Sequence, residues 1–204
     1  MTRVEAPIDG RTARSARTRD AVVAAFLDLL EDGALRPTAR QVAARAGVSL
    51  RSVFQHFADL ESLFAEVAGR QIQRLQDLWP APPADAPYPD RLAMFVAQRS
   101  RILEAISPVR RAAVLQEPFS DVVAQRLKWV RDAAQAEVAT TFASEIAGRA
   151  AADRVVLLAA LDVATNWGTW ETLRRQHAMS QEAAARAMRR MIEAVLKEGA
   201  SWSI

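Results

Sequence analysis

The chain has 204 residues, half of them apolar and a quarter charged, with a formal net charge of +3. This composition is ordinary for a globular protein and long enough to bury a core. There is no cysteine, so disulfides and thiolate chemistry are excluded, and no uncharged apolar run approaches the about 20 residues of a membrane span.

The charge is unevenly placed. Between Arg11 and His56 eight arginines stand against four acids, so this window carries +4 and the remainder −1. A basic N-terminal third points to a polyanion partner. The opening "MTRVEAPIDGRTARSARTRD" lacks the apolar stretch of a signal peptide, and a cytoplasmic protein is expected.

In chain order, residues 1–12 read as a disordered basic arm, and a cationic run of Arg11, Arg14, Arg17 and Arg19 extends from its end. A first helix follows, with Ala21, Ala25, Phe26, Leu29 and Leu30 on one side and Gly33 as its C-cap. In "TARQVAARAG" the Thr38/Gln41 spacing predicts a capping box, burial of Val42 and Ala46, and an end at Gly47. Ser49 can cap a third helix and Asp59 a fourth. In the fourth, Leu60, Leu63, Phe64, Val67, Leu75 and Leu78 recur at helical spacing.

"WPAPPADAPYP" cannot continue a helix. It separates a small N-terminal domain from a larger helical one. The predicted layout is a helix-turn-helix domain over 13–58, a linking helix over 59–79, a proline-rich linker over 80–89 and a C-terminal domain over 90–204. Five helices are predicted beyond the linker, near 89–106, 108–116, 120–146, 151–177 and 180–198. Ser107 reads as the N-cap before Pro108, and Ser180 as the cap of the last helix.

The stretch "GVSLRSVFQHF", residues 47–57, carries the most chemistry. Leu50, Val53, Phe54 and Phe57 fall at i, i+3, i+4 and i+7, and Arg51, Ser52, Gln55 and His56 fall elsewhere. Two short helices joined at a glycine form a helix-turn-helix, whose second helix enters the DNA major groove. Arginine can bridge O6 and N7 of guanine, and glutamine N6 and N7 of adenine. Serine and histidine suit phosphates.

The block "TARQVAARAGVSLRSVFQHFADLESLF" (Thr38–Phe64) resembles the DNA-binding signature of TetR-type transcriptional regulators. The resemblance covers about residues 15–65. It implies an all-α homodimeric repressor with an N-terminal three-helix DNA-binding domain and a C-terminal ligand-binding and dimerisation domain. The last two helices would dimerise, and a small-molecule effector would release double-stranded DNA. Carried over, Leu50, Arg51, Ser52 and Gln55 occupy base-facing positions. Phe54 and His56 meet the backbone, and Thr38, Arg40 and Ser49 lie near phosphates, with Arg14 and Arg17 supplying the arm. Phe54 stands where the family often has tyrosine, and Leu60 where it usually has lysine. Leu50 stays divided between the core, by periodicity, and the groove, by resemblance.

In the helix near 89–106, Arg99 sits within the apolar face of Leu92, Phe95, Val96, Ile102, Leu103 and Ile106. A guanidinium there must be paired or hydrated. Either it pairs internally, with Asp162 or another acid, or Arg99, Asp162 and Asn166 are polar anchors in an apolar effector pocket walled by Phe95, Ile102, Trp129 and Trp170. Leu157, Leu161, Ala164 and Gly168 offer a close-approach seam for the dimer. Trp167 fits either the pocket or that seam.

No enzyme is expected. His56 and His177 lack metal-ligand spacing, and nucleophile, P-loop and G-x-G-x-x-G motifs are absent. Neither cofactor nor metal is implied. The alternative function is an all-α protein-interaction adaptor without specific DNA binding.

Overall fold

The computed structural model describes residues 10–75, 82–83 and 85–198, and all regular structure among them is helical. The chain divides into two compact units. The first comprises residues 1–74 with 108–115, and the second residues 75–107 with 116–204.

In the first unit α1 (Gly10–Glu31), α2 (Ala39–Ala46), α3 (Leu50–His56) and α4 (Leu60–Leu75) follow one another. Helix α1 takes in residues 10–12, so the expected arm is helical from Gly10 onward, while residues 1–9 lie outside the described residues. Its buried side holds Val22, Val23, Ala25, Phe26, Leu27 and Leu30. It ends where Gly33, at φ 94°, donates to the Leu30 carbonyl at 3.0 Å. Positive φ is cheap for glycine alone.

The capping box of α2 is complete. Thr38 Oγ1 accepts from the Gln41 amide at 3.3 Å, and Gln41 Oε1 accepts from the Thr38 amide at 2.9 Å. Helix α2 buries Val42 and Ala43, whereas Ala46 is only half-buried. Gly47 closes it at φ 67°, donating to the Ala43 and Ala44 carbonyls. Ser49 and Asp59 cap α3 and α4 through the Ser52 and Ser62 amides, at 3.1 and 2.7 Å.

Helix α4 belongs with the first unit rather than only linking it. Leu63, Phe64 and Val67 are buried, and Phe64 meets Phe26 of α1 with ring centroids 6.0 Å apart. Each such side chain contributes about 1.5–3 kcal/mol by leaving water. Leu60 is half-buried on its stripe, and Leu78 lies outside the described residues.

The two predicted helices near 89–106 and 108–116 are one, α5 (Tyr88–Gln116), with Pro108 inside it; its residues 108–115 count with the first unit and the rest with the second. Ser107 is not a cap. Its hydroxyl donates to the Leu103 carbonyl at 2.7 Å and accepts from Trp167 Nε1 at 3.0 Å. Proline removes an amide from the ladder and crowds the carbonyl four residues back, yet the helix continues, with Leu103 before it and Val109 and Ala112 after it buried.

A 3-10 turn (Glu117–Phe119) leads to α6 (Asp121–Thr141) and the short α7 (Ala143–Ala147). The predicted helix over 151–177 is broken. Helix α8 (Ala151–Thr165) stops at Asn166, whose side chain caps α9 (Trp167–Glu171) by accepting from the Thr169 amide at 2.9 Å. A π-helical turn (Thr172–Gln176) precedes α10 (Gln181–Glu198), which Ser180 caps. The core includes Leu92, Phe95, Phe142, Leu161, Trp170 and Met188. No helix among the described residues is long and apolar enough to cross a membrane.

Candidate functional site

Helix α3 has only two turns, and one stripe of it is buried. Val53 and Phe57 are in the core. Leu50 and Phe54, one turn apart, are 41 % and 50 % exposed, which corrects the single four-residue apolar face read from periodicity. Val53 and Phe57 already fill the contact with the neighbouring helices, so the adjacent pair is left outward. Arg51 and Gln55 form a second exposed stripe, and Ser52 and His56 are half-buried. The outward surface of α3 therefore carries an apolar pair beside two side chains of base-bridging geometry.

Around α3, Arg14, Arg17, Arg40 and Ser49 are exposed. Two of the expected phosphate contacts are already engaged within the chain. The Thr38 hydroxyl belongs to its capping box, and the Ser49 hydroxyl to its own cap and to Ser52 Oγ at 2.8 Å. Arg19, grouped with the arm by sequence, is engaged within its own unit. It donates to the His56 carbonyl at 3.0 Å and to Glu66 Oε2 at 3.1 Å.

In the second unit Arg99 is 5 % exposed and pairs with Glu137 Oε2 at 2.9 Å. It also donates to the Ala134 carbonyl at 3.2 Å, and its guanidinium lies 5.0 Å from the Phe95 ring centroid. Burial makes the Arg99 cation less favourable, and Glu137, then Asp162, work against this. Burial likewise pushes the Glu137 carboxyl up, opposed by Arg99 and by the neighbouring Gln98 amide. Gln98 and Thr141 are also buried. Arg99 Nε, both Gln98 amide atoms, Glu137 Oε1 and Thr141 Oγ1 close no hydrogen bond among the described residues. A buried polar group left unmet costs about 1–3 kcal/mol.

Phe95, Ile102 and Trp170 are buried in this unit. Of the other expected pocket residues, Asp162 still favours the Arg99 charge, whereas Trp129 and Asn166 are placed otherwise. Trp129 is 57 % exposed, because it lies two positions beyond the buried Leu127 and so on another side of α6. Asn166 spends its side chain on the α9 cap, and Asp162 accepts from Gln135 at 3.2 Å. Glu137 is the residue that sequence reasoning missed. Its signal was a carboxylate between Ala134 and Val138, one turn from Thr141, on an otherwise apolar helix side. Of the expected seam, Leu157, Leu161 and Ala164 are instead buried within their own unit, while Gly168 is exposed, as are Val155, Val156 and Val163. Among the described residues no cluster of three metal-ligating side chains occurs.

Solved structures share this architecture. A transcriptional regulator from Rhodococcus sp. Rha1 superposes with a TM-score of 0.67 at 19% identity, over 88% of this chain and 96% of that one. A TetR-family transcriptional regulator from Streptomyces coelicolor gives 0.69 at 16% identity, over 92% and 84%. The chain has the TetR-family fold. A TetR-like regulator from Rhodococcus sp. RHA1 matches with 0.59 at 16% identity, over 98% of this chain and all of that one (100%). No family model and no curated protein matches the chain. In this TetR-type fold α2 and α3 are the helix-turn-helix, and the second unit is the C-terminal helical domain.

Proposed function

We propose that the chain is a transcriptional repressor that binds a palindromic DNA operator as a homodimer and is released by a small-molecule effector. The observation that carries this reading is the outward face of α3. Leu50, Arg51, Phe54 and Gln55 are all exposed on a capped, two-turn helix that follows a left-handed glycine turn. Arg51 and Gln55 read bases, Leu50 and Phe54 offer apolar contact to a thymine methyl or the sugar edge, and Arg14, Arg17 and Arg40 supply phosphate contacts.

The dimer seam is proposed on α8 and α10. The exposed Val155, Val156 and Val163 supply its apolar part, because α10 commits Ala184, Met188, Ile192 and Leu196 to its own core. The effector is proposed to engage Arg99, Glu137, Gln98 and Thr141. Release follows if it favours a dimer whose two α3 helices no longer match successive grooves.

Selection of random duplexes by the full chain at moderate salt tests the reading. A two-fold symmetric consensus is expected. Arg51→Ala and Gln55→Ala should each relax preference at separate positions by about 1–3 kcal/mol. Recovery of duplexes without any consensus refutes specific DNA binding and favours a surface for protein contacts.

A further inference from the structure

Arg19 reads from sequence as one more cation for the polyanion, yet its geometry gives it another task. Helix α3 is so short that its last carbonyls have few partners within the helix. The Phe57 amide takes the Val53 carbonyl at 3.0 Å, and Arg19 takes the His56 carbonyl at 3.0 Å. A cation at a helix C-terminus also meets the negative end of its dipole. The same guanidinium lies 4.5 Å from the ring centroid of Phe57, the buried residue that closes α3.

Its other amino group is held by Glu66 Oε2 at 3.1 Å. The second Glu66 oxygen accepts from Arg70 Nε at 3.1 Å, and Arg70 pairs with Asp20 at 2.7 Å. Charges alternate around a ring of two adjacent α1 residues and an i, i+4 pair on α4. Arg14 and Arg17, by contrast, have no acidic partner among the described residues, and Arg17 Nε donates only within its own helix.

We infer that Arg19 is a positioning residue, which ties the C-terminal end of the recognition helix to Glu66 of α4 and sets the angle at which α3 is presented. This rests on the DNA-binding reading of α3. It follows that specificity depends on an acidic side chain, Glu66, whose charge by itself would repel DNA.

The test uses the full chain, a duplex obtained by selection and its scrambled counterpart, with binding measured across a salt series. Thermal unfolding confirms that each variant is folded. Glu66→Gln is expected to weaken binding to the selected duplex about tenfold and to leave the scrambled duplex unchanged or bound more tightly. Arg19→Ala should lower the ratio between the two duplexes by a similar factor, with no change in the salt slope. The double variant should lose little more than either single one. Arg19→Lys should recover only part of the loss, because an ammonium cannot hold a carbonyl and a carboxylate in a fixed fork while lying flat on a ring. The inference is overturned if Arg19→Ala reduces the salt slope by about one and weakens both duplexes equally, as loss of a phosphate contact would. It is also overturned if Glu66→Gln tightens binding to the selected duplex. A wild-type chain that does not distinguish the two duplexes sinks the DNA-binding reading itself.

Discussion

Glu137→Leu leaves the Arg99 guanidinium buried beside one carbonyl and one aromatic ring, with no counter-charge hydrogen-bonded to it. The two side chains are only 5 % and 7 % exposed, so water cannot replace the lost partner without opening the unit. Breaking one side of such a pair costs about 3–5 kcal/mol, whereas replacing both partners by apolar groups is often neutral or stabilising. Glu137→Leu and Arg99→Met should therefore each destabilise the second unit by about 3–5 kcal/mol. The double variant should return to within about 1 kcal/mol of the wild type. Urea unfolding followed by tryptophan fluorescence suits the test, because all five tryptophans lie outside the first unit. With a slope of about 2 kcal/mol per molar urea, each single change lowers the midpoint by about 1.5–2.5 M. Additive losses in the double variant would show that the pair is not coupled. Single losses under about 1 kcal/mol would show that the site is hydrated. The double variant also isolates the sensing role. It should bind the selected duplex normally and no longer release it when effector is added.

Arg14→Ala with Arg17→Ala should weaken selected and scrambled duplexes alike and reduce the salt slope by about two. An unchanged slope in a binding titration removes both residues from the interface. Gly47→Ala meets no atom within 4 Å, but its φ of 67° puts a Cβ in the left-handed region. It should cost the first unit about 1–2 kcal/mol, read from the midpoint of thermal unfolding. Val155→Asp with Val163→Asp should give a folded monomer by sedimentation; a persistent dimer places the seam elsewhere. The Glu66 carboxyl is held below its ordinary value, first by its hydrogen bond from Arg19. Its contribution to the first unit is therefore complete above the ordinary carboxylate pKa and is lost as pH falls through the lowered value. A pH titration of first-unit stability should show a weaker acid dependence in Glu66→Gln than in the wild type, the remainder including Asp59, whose carboxyl is also held low by the Ser62 amide.

Local chemistry was legible in the order of residues because it is local. The Thr38–Gln41 box, the Ser49, Asp59 and Ser180 caps and the glycine stops at Gly33 and Gly47 each join groups within a few positions of one another. The dense "TARQVAARAGVSLRSVFQHF" pattern carried the family resemblance, and the fold agrees with it. Helix continuity was less legible. Pro108 is carried inside α5, and α8 stops at Asn166, because packing and a side-chain cap outweigh intrinsic preference at those points. Which face of a helix is inside depends on what meets it. Periodicity offered α3 one broad apolar face, and only the width of its contact decided that Val53 and Phe57 go in while Leu50 and Phe54 stay out. It offered α8 a seam through Leu157 and Leu161, and the core took both. The pairs Arg99–Glu137 and Arg19–Glu66 join residues far apart in the chain. A charge among apolar residues announces that it needs a partner, but the partner is chosen by which helices touch, and only the tertiary structure decided that.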